Sequence, residues 1–351
     1  MASANSNFST IYAALSDDQL YCLFTDASWP SMDSDKRLAA LQEVECRMAR
    51  RQGRPACPIT AVQMPANSMG AYDGDGITLN ASLLKSPRTL FGKIRPYGGI
   101  AALETVIHEG RHAFQRAAIC GKTTAKVPDK LRRAWLVNTM GYMNGNGPAG
   151  FAFYAFQPME RDARSFAARE MSAIYRCIMH ATGKSDPLFE KGLEQMRREK
   201  EMEYRHARAK LSDEAISAQM AALKVKIGLN VGLNLSFAAF GESVSFADCM
   251  RECGVSTDML DDLADHQMDD HRAILCGEKQ LDHYMDGMLG EAMNEELDWR
   301  ENADSGPGDS PEDGKVETLD ELVARLFAKP MDTSSFADSA RVRPDGSRYG
   351  F

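Results

Sequence analysis

One ten-residue stretch constrains this chain more than any other: Val106-Ile107-His108-Glu109-Gly110-Arg111-His112-Ala113-Phe114-Gln115. Histidine is scarce, 7 of 351 residues, yet two stand here four apart, with a glutamate directly after the first. On a helix, positions i and i+4 share a face, so His108 and His112 can hold one ion between them. Glu109 lies about 100° round the axis from His108, close enough to polarise a water on that ion. The flanks agree with a helix. Gly98-Gly99 gives a break, and Ile100 to Ala118 follows without a proline. Leu103, Ile107, Gly110, Phe114 and Ala117 fall on one arc. Glu104, His108, Arg111, His112 and Gln115 fall on the opposite one. That spacing marks an amphipathic helix whose polar arc faces a cleft. Gly121 fits its end.

Two histidines leave a catalytic site short of a ligand, because three protein ligands and a water is the usual form. Downstream, Phe151-Ala152-Phe153-Tyr154-Ala155-Phe156 leads into Gln157-Pro158-Met159-Glu160. Pro158 suits a helix's first turn, and the pattern runs on through Phe166, Met171, Ile174 and Ile178 to Thr182-Gly183. Glu160 therefore opens a second long helix, with 47 residues between it and His112 (positions 113–159).

This arrangement is similar to that of the gluzincin metallopeptidases, over about residues 55–180, and it resembles an uncharacterised bacterial branch around Pro158-Met159-Glu160. The resemblance implies an α+β fold, mostly helical, with a zincin-like core, a small antiparallel or mixed sheet and a C-terminal helical extension. It implies one Zn2+ on His108, His112 and Glu160, with Glu109 as general base in hydrolysis of a peptide or protein substrate. Tyr154 is the first choice of donor to the oxyanion, with Tyr142 and Arg161 as alternatives. The pattern departs from many gluzincins at Arg164, where an acid often supports a ligand histidine. Asp162, Glu104 and Glu170 are the other acids able to serve. The competing reading is a binding or regulatory module that retains such a fold and engages a partner protein. Glu109 argues against it, since holding a metal needs no base.

The rest of the chain supplies the setting. Asp35 to Gln52 reads as a helix with Leu38, Leu41, Val44 and Met48 as its stripe. Pro58 to Met64 reads as a strand, and two Asp-Gly pairs turn the chain into the strand Ile77 to Asn80. If that strand lies along the cleft with one free edge, Ile77, Thr78 and Leu79 bind substrate by backbone pairing. Lys122 to Pro148 reads as loop-rich. Pro187 to Lys210 reads as a helix with a solvated charged face, Ser212 caps a helix from Asp213 to Ile227, and 243–293 reads as helical. Domains are expected at 1–183 (catalytic) and 184–298 (helical extension). An acidic linker follows at 299–316, then a short amphipathic helix and a disordered tail at 317–351, with 318–328 as a partner-binding element.

Cys249, Cys253, His266 and His271 fit the spacing of a Cys2His2 finger. The intervening acids Asp258, Asp261, Asp262 and Asp265 are wrong for DNA, and the cysteines read better as one helical face. The net charge of −9 gives a nucleic-acid role no electrostatic support. The longest apolar stretch, Ile227 to Phe240, holds two Asn and two Gly and is too short to span a bilayer. Met1 to Thr10 carries no secretory pattern, so eight dispersed cysteines imply a reduced, cytoplasmic compartment.

Overall fold

The computed structural model describes residues 12–275 apart from 66–67, 86–88, 91–92, 95–97, 146–149 and 210. The described residues all lie within one compact unit. The expected linker, the 318–328 helix and the tail lie outside the described residues.

Local chemistry starts each early element. Helix α1 (Asp17–Cys22) begins at a reciprocal cap, in which the Ser16 hydroxyl accepts from the Gln19 amide and the Gln19 side chain accepts from the Ser16 amide. Helix α2 (Ser34–Arg51) begins where Asp33 accepts from the Lys36 amide, and it buries Leu41, Val44 and Met48. Three short strands follow, β1 (Ile59–Val62), β2 (Gly70–Tyr72) and β3 (Ile77–Asn80). Asp73 bends the chain between β2 and β3 by accepting from the amides of Asp75 and Gly76. Gly74 sits there at φ 100°, a backbone setting that disfavours any side chain.

The sheet runs β1-β3-β2, with β1 and β3 parallel and β2 and β3 antiparallel. This corrects the expectation for Ile77, Thr78 and Leu79. They lie in the central strand, paired on both sides, and Ile77 and Leu79 are buried. No edge is left there for a substrate. Two apolar residues alternating with small polar ones suit the middle of a sheet as well as its rim, which is why periodicity alone misplaced them. The edge nearer the motif helix is β2.

A two-residue hairpin, β4 (Thr89–Leu90) with β5 (Lys93–Ile94), precedes the motif helix α3 (Gly98–Ile119). Then come α4 (Asp129–Met140), α5 (Gly150–Phe156), α6 (Pro158–Thr182), α7 (Pro187–Ala209) and α8 (Asp213–Gly232). The antiparallel pair β6 (Ser236–Ala239) and β7 (Glu242–Ser245) leads to α9 (Phe246–Glu252) and α10 (Thr257–Leu275). The chain is thus mostly helical with a small mixed sheet, an α+β arrangement. Among the described residues, no helix is long and apolar enough to cross a membrane.

Two segments differ from expectation. Within 122–148 the structure has α4, because Leu131, Trp135, Leu136 and Met140 form a buried stripe that outweighs the surrounding glycines and asparagines. Residues 236–245 form a hairpin, turning at Phe240 and Gly241, both with positive φ.

Helix α3 is the hub. It packs on α2, on α4, on α6 and on strands β2 and β3. Phe114, Ile119, Trp135, Phe156, Ile216, Leu223, Phe246, Cys249 and Leu260 share one core. Residues on either side of position 183 are therefore packed into a single apolar interior.

Candidate metal centre

The packing of α3 on α6 sets the polar arc of the motif helix against the first turn of α6. Gln157 stands in extended backbone just before that turn and Pro158 fills its first position, so the chain enters with Glu160 pointing at α3. His108, His112 and Glu160 meet there, with their ligand atoms within 4.8 Å of one another. His112 Nε2 lies 3.1 Å from His108 Nε2 and 3.1 Å from Glu160 Oε1, and His108 Nε2 lies 3.5 Å from Glu160 Oε2. The cluster can hold a metal ion. Two observations fit it for one. Glu160 is fully buried, and its Oε2 makes no hydrogen bond; only His108 Nε2 at 3.5 Å and Arg164 Nε at 3.8 Å approach it, which leaves that oxygen able to take a cation. The imidazoles also aim both Nε2 atoms at one point, an arrangement that only a proton or a metal relieves.

The electrostatics are those of a cation site. Burial pushes the Glu160 carboxyl up, but His112 and His108 outweigh it and hold it well below the usual range. Burial pulls His112 down, but Glu160 outweighs it and raises the imidazole to about 9. In the metal-free protein a proton therefore occupies His112 at neutral pH, and the ion must displace it. Below about pH 9 the proton competes, so apparent metal affinity should rise up to tenfold per pH unit and level off near pH 9. Chelator-competition titrations between pH 6 and 9 check this, and a flat profile would contradict it.

Two of the three ligands, His112 and Glu160, have a supporting hydrogen bond. Gln115 donates through Nε2 to Met159 O at 2.9 Å and to Asp162 Oδ2 at 2.6 Å. Its amide oxygen thus faces His112 Nδ1, 2.9 Å away, and must accept from it. That fixes the proton on Nδ1 and leaves Nε2 for the metal. Asp162 is held in turn by Arg111, in a two-pronged pair at 2.9 and 3.1 Å, and the Arg111 guanidinium lies over the rings of Phe114 and Phe166. On the other side, Tyr142 donates its hydroxyl to Glu160 Oε1 at 2.5 Å. Burial and then Glu160 raise both Tyr142 and Tyr154, so both stay protonated donors. The two rings meet edge-on, 6.3 Å apart. Arg164, which stands where an acid was sought, lies 3.8 Å from Glu160 Oε2.

Glu109 stands beside the cluster without joining it. Its Oε2 accepts from the Tyr72 amide on β2 at 2.9 Å, and the residue is buried. The edge strand thus orients the carboxylate that follows the first histidine.

No family model, no curated protein and no solved structure matches this chain. The reading of the site therefore rests on geometry.

The sequence brought out His108, Glu109, His112 and Glu160; the structure brings His108, His112 and Glu160 into one cluster and sets Glu109 beside it. Tyr154 lines the site, while Tyr142 makes the short bond to Glu160. Arg161 is buried in α6. Gln115 went unassigned, although its place three residues after His112 on the polar arc was a readable signal. The Tyr72 amide had no sequence signal, since any residue supplies a backbone N–H. Cys249 and Cys253 are buried in the core and His266 is largely exposed. The described residues hold no second metal cluster.

Proposed function

We propose that the chain is a zinc-dependent metallopeptidase of the gluzincin kind, built on a zincin-like core. The observation that carries this is a ligand set of two histidines and one glutamate with an oriented, separate carboxylate beside it. Ligands about 2.0–2.2 Å from a tetrahedral zinc lie roughly 3.4 Å apart, and the spacings of 3.1, 3.1 and 3.5 Å bracket that value. When bound, zinc supplies a Lewis acid and a hydrolytic water with a pKa near 7. Glu109 would serve as the general base toward an attacking water and as the proton donor to the leaving amine. The Tyr72 amide holds one of its oxygens and leaves the other for the proton. Tyr154 is the candidate donor to the developing oxyanion, since the Tyr142 proton is committed to Glu160 Oε1. An extended peptide would add along β2, the edge strand beside Glu109, in place of the central Ile77–Leu79 segment.

Zinc content and cleavage of a peptide library test the proposal together. One zinc per chain with cleavage that stops on chelation and returns on zinc addition is expected. One zinc per chain with no cleavage would refute the peptidase reading and favour a module that only holds the metal.

A further inference from the structure

A second reactive group lies at the far end of the motif helix. Cys120 follows the last residue of α3, and Cys249 lies in α9. Their sulfurs are 3.3 Å apart in the core. Cys253 is buried alongside, with its sulfur 3.8 Å from Ile119 O. The seven described cysteines are all free thiols, and this is the pair among them whose sulfurs touch. Arg116, one turn before Cys120, sends its guanidinium over Phe237 at 4.7 Å, and its Nη1 is buried without a hydrogen bond.

We infer that Cys120 and Cys249 are a redox-modifiable pair, closing to a disulfide that fastens the end of the metal-ligand helix to α9 when the protein meets a peroxide. The inference is independent of what the metal centre does. Either sulfur can donate in the bond they share. Cys120 is the attacking group, because it is the less deeply buried of the two, 5% exposed against 0%, and lies one turn from the Arg116 guanidinium, which favours its thiolate; Cys249 is the resolving partner.

The oxidant is a hydroperoxide, and the chemistry balances in two steps. The Cys120 thiolate attacks the terminal peroxide oxygen, the O–O bond breaks and an alcohol or water leaves, which gives a sulfenic acid on Cys120. Cys249 then attacks that sulfur, the S–S bond forms, and the hydroxyl leaves as water with the Cys249 proton. Two thiols are oxidised and one peroxide is reduced. Helix α3 and α9 need only bring their sulfurs from 3.3 Å to about 2.05 Å.

The bond would close a loop of 129 residues, which restricts the unfolded chain and raises the melting temperature by roughly 5–15 °C. The test treats the full chain with equimolar hydrogen peroxide, then alkylates, digests and reads masses. A loss of two mass units, reversed by thiol and mapped to Cys120–Cys249, is expected. Cys253→Ser should keep it, while Cys120→Ser and Cys249→Ser should each lose it. The wild-type peptide map decides even if a variant folds poorly. The inference is overturned if both sulfurs remain alkylatable, if the cross-link maps to Cys249–Cys253, or if the oxidised protein melts no higher than the reduced one.

Discussion

Glu109→Gln is expected to keep one zinc per chain and to lose peptide cleavage by about 10³-fold or more. The metal should stay, because Glu109 contributes none of the three clustered ligand atoms. The fold should stay as well. A glutamine keeps the side-chain length, and its amide oxygen can still accept from the Tyr72 amide now bonded to Glu109 at 2.9 Å. What disappears is a group able to take a proton, and general base catalysis of this kind contributes about 10²–10⁴-fold. Glu160→Ala should fail in the opposite order. It removes a ligand and leaves the Tyr142 hydroxyl without its partner, so metal is lost first and cleavage with it. Activity measured alongside zinc content separates the two variants. A Glu109→Gln variant that cleaves within tenfold of wild type would show that the base lies elsewhere.

The site was legible to the extent that its chemistry is local. His108, Glu109 and His112 sit on one turn, and helical spacing alone places them. Glu160 was legible because Pro158 announces a helix start two residues earlier, and a first-turn position has a fixed relation to the helix axis. The supports were harder to read, because they depend on how α3 meets α6. Asp162 points away from Glu160's own face, as its spacing says it must. That orientation carries it to Arg111 and, through Gln115, to His112. A rule that looks for an acid one turn after the ligand misses this route. The sheet failed for a related reason. β3 is central because β1 pairs with it directly in parallel while β2, which lies between them only in sequence, pairs on its other side, and no short-range pattern encodes a crossover.

The largest stability effect expected in the molecule comes from a pair that composition hid among surface-type residues. Glu45 on α2 and Arg54 just after it are both fully buried, joined at 2.6 and 3.0 Å. Glu45→Ala should destabilise the fold by about 3–5 kcal/mol, because it strands a buried guanidinium. Burial pulls Arg54 down, but Glu45 outweighs it and keeps the cation charged. Without Glu45, the Cys57 amide also loses its acceptor. Urea unfolding of the metal-free protein measures the loss, and a change below 1 kcal/mol would sink the argument. Restoring much of it with Glu45→Leu combined with Arg54→Met would assign the cost to the stranded charge. The effect should also reach the metal. Arg54 Nη2 donates to the carbonyl of Gly110, in the very turn that joins His108 to His112. A Cβ at Gly110 would stand 2.8 Å from Glu45 Oε2, so the glycine inside the motif is where the ion pair meets the helix. Gly110→Ala must therefore push the pair and the ligand turn apart. Its unfolding and zinc affinity should suffer together, whereas a glycine tolerated only for flexibility would gain helix stability from the same change.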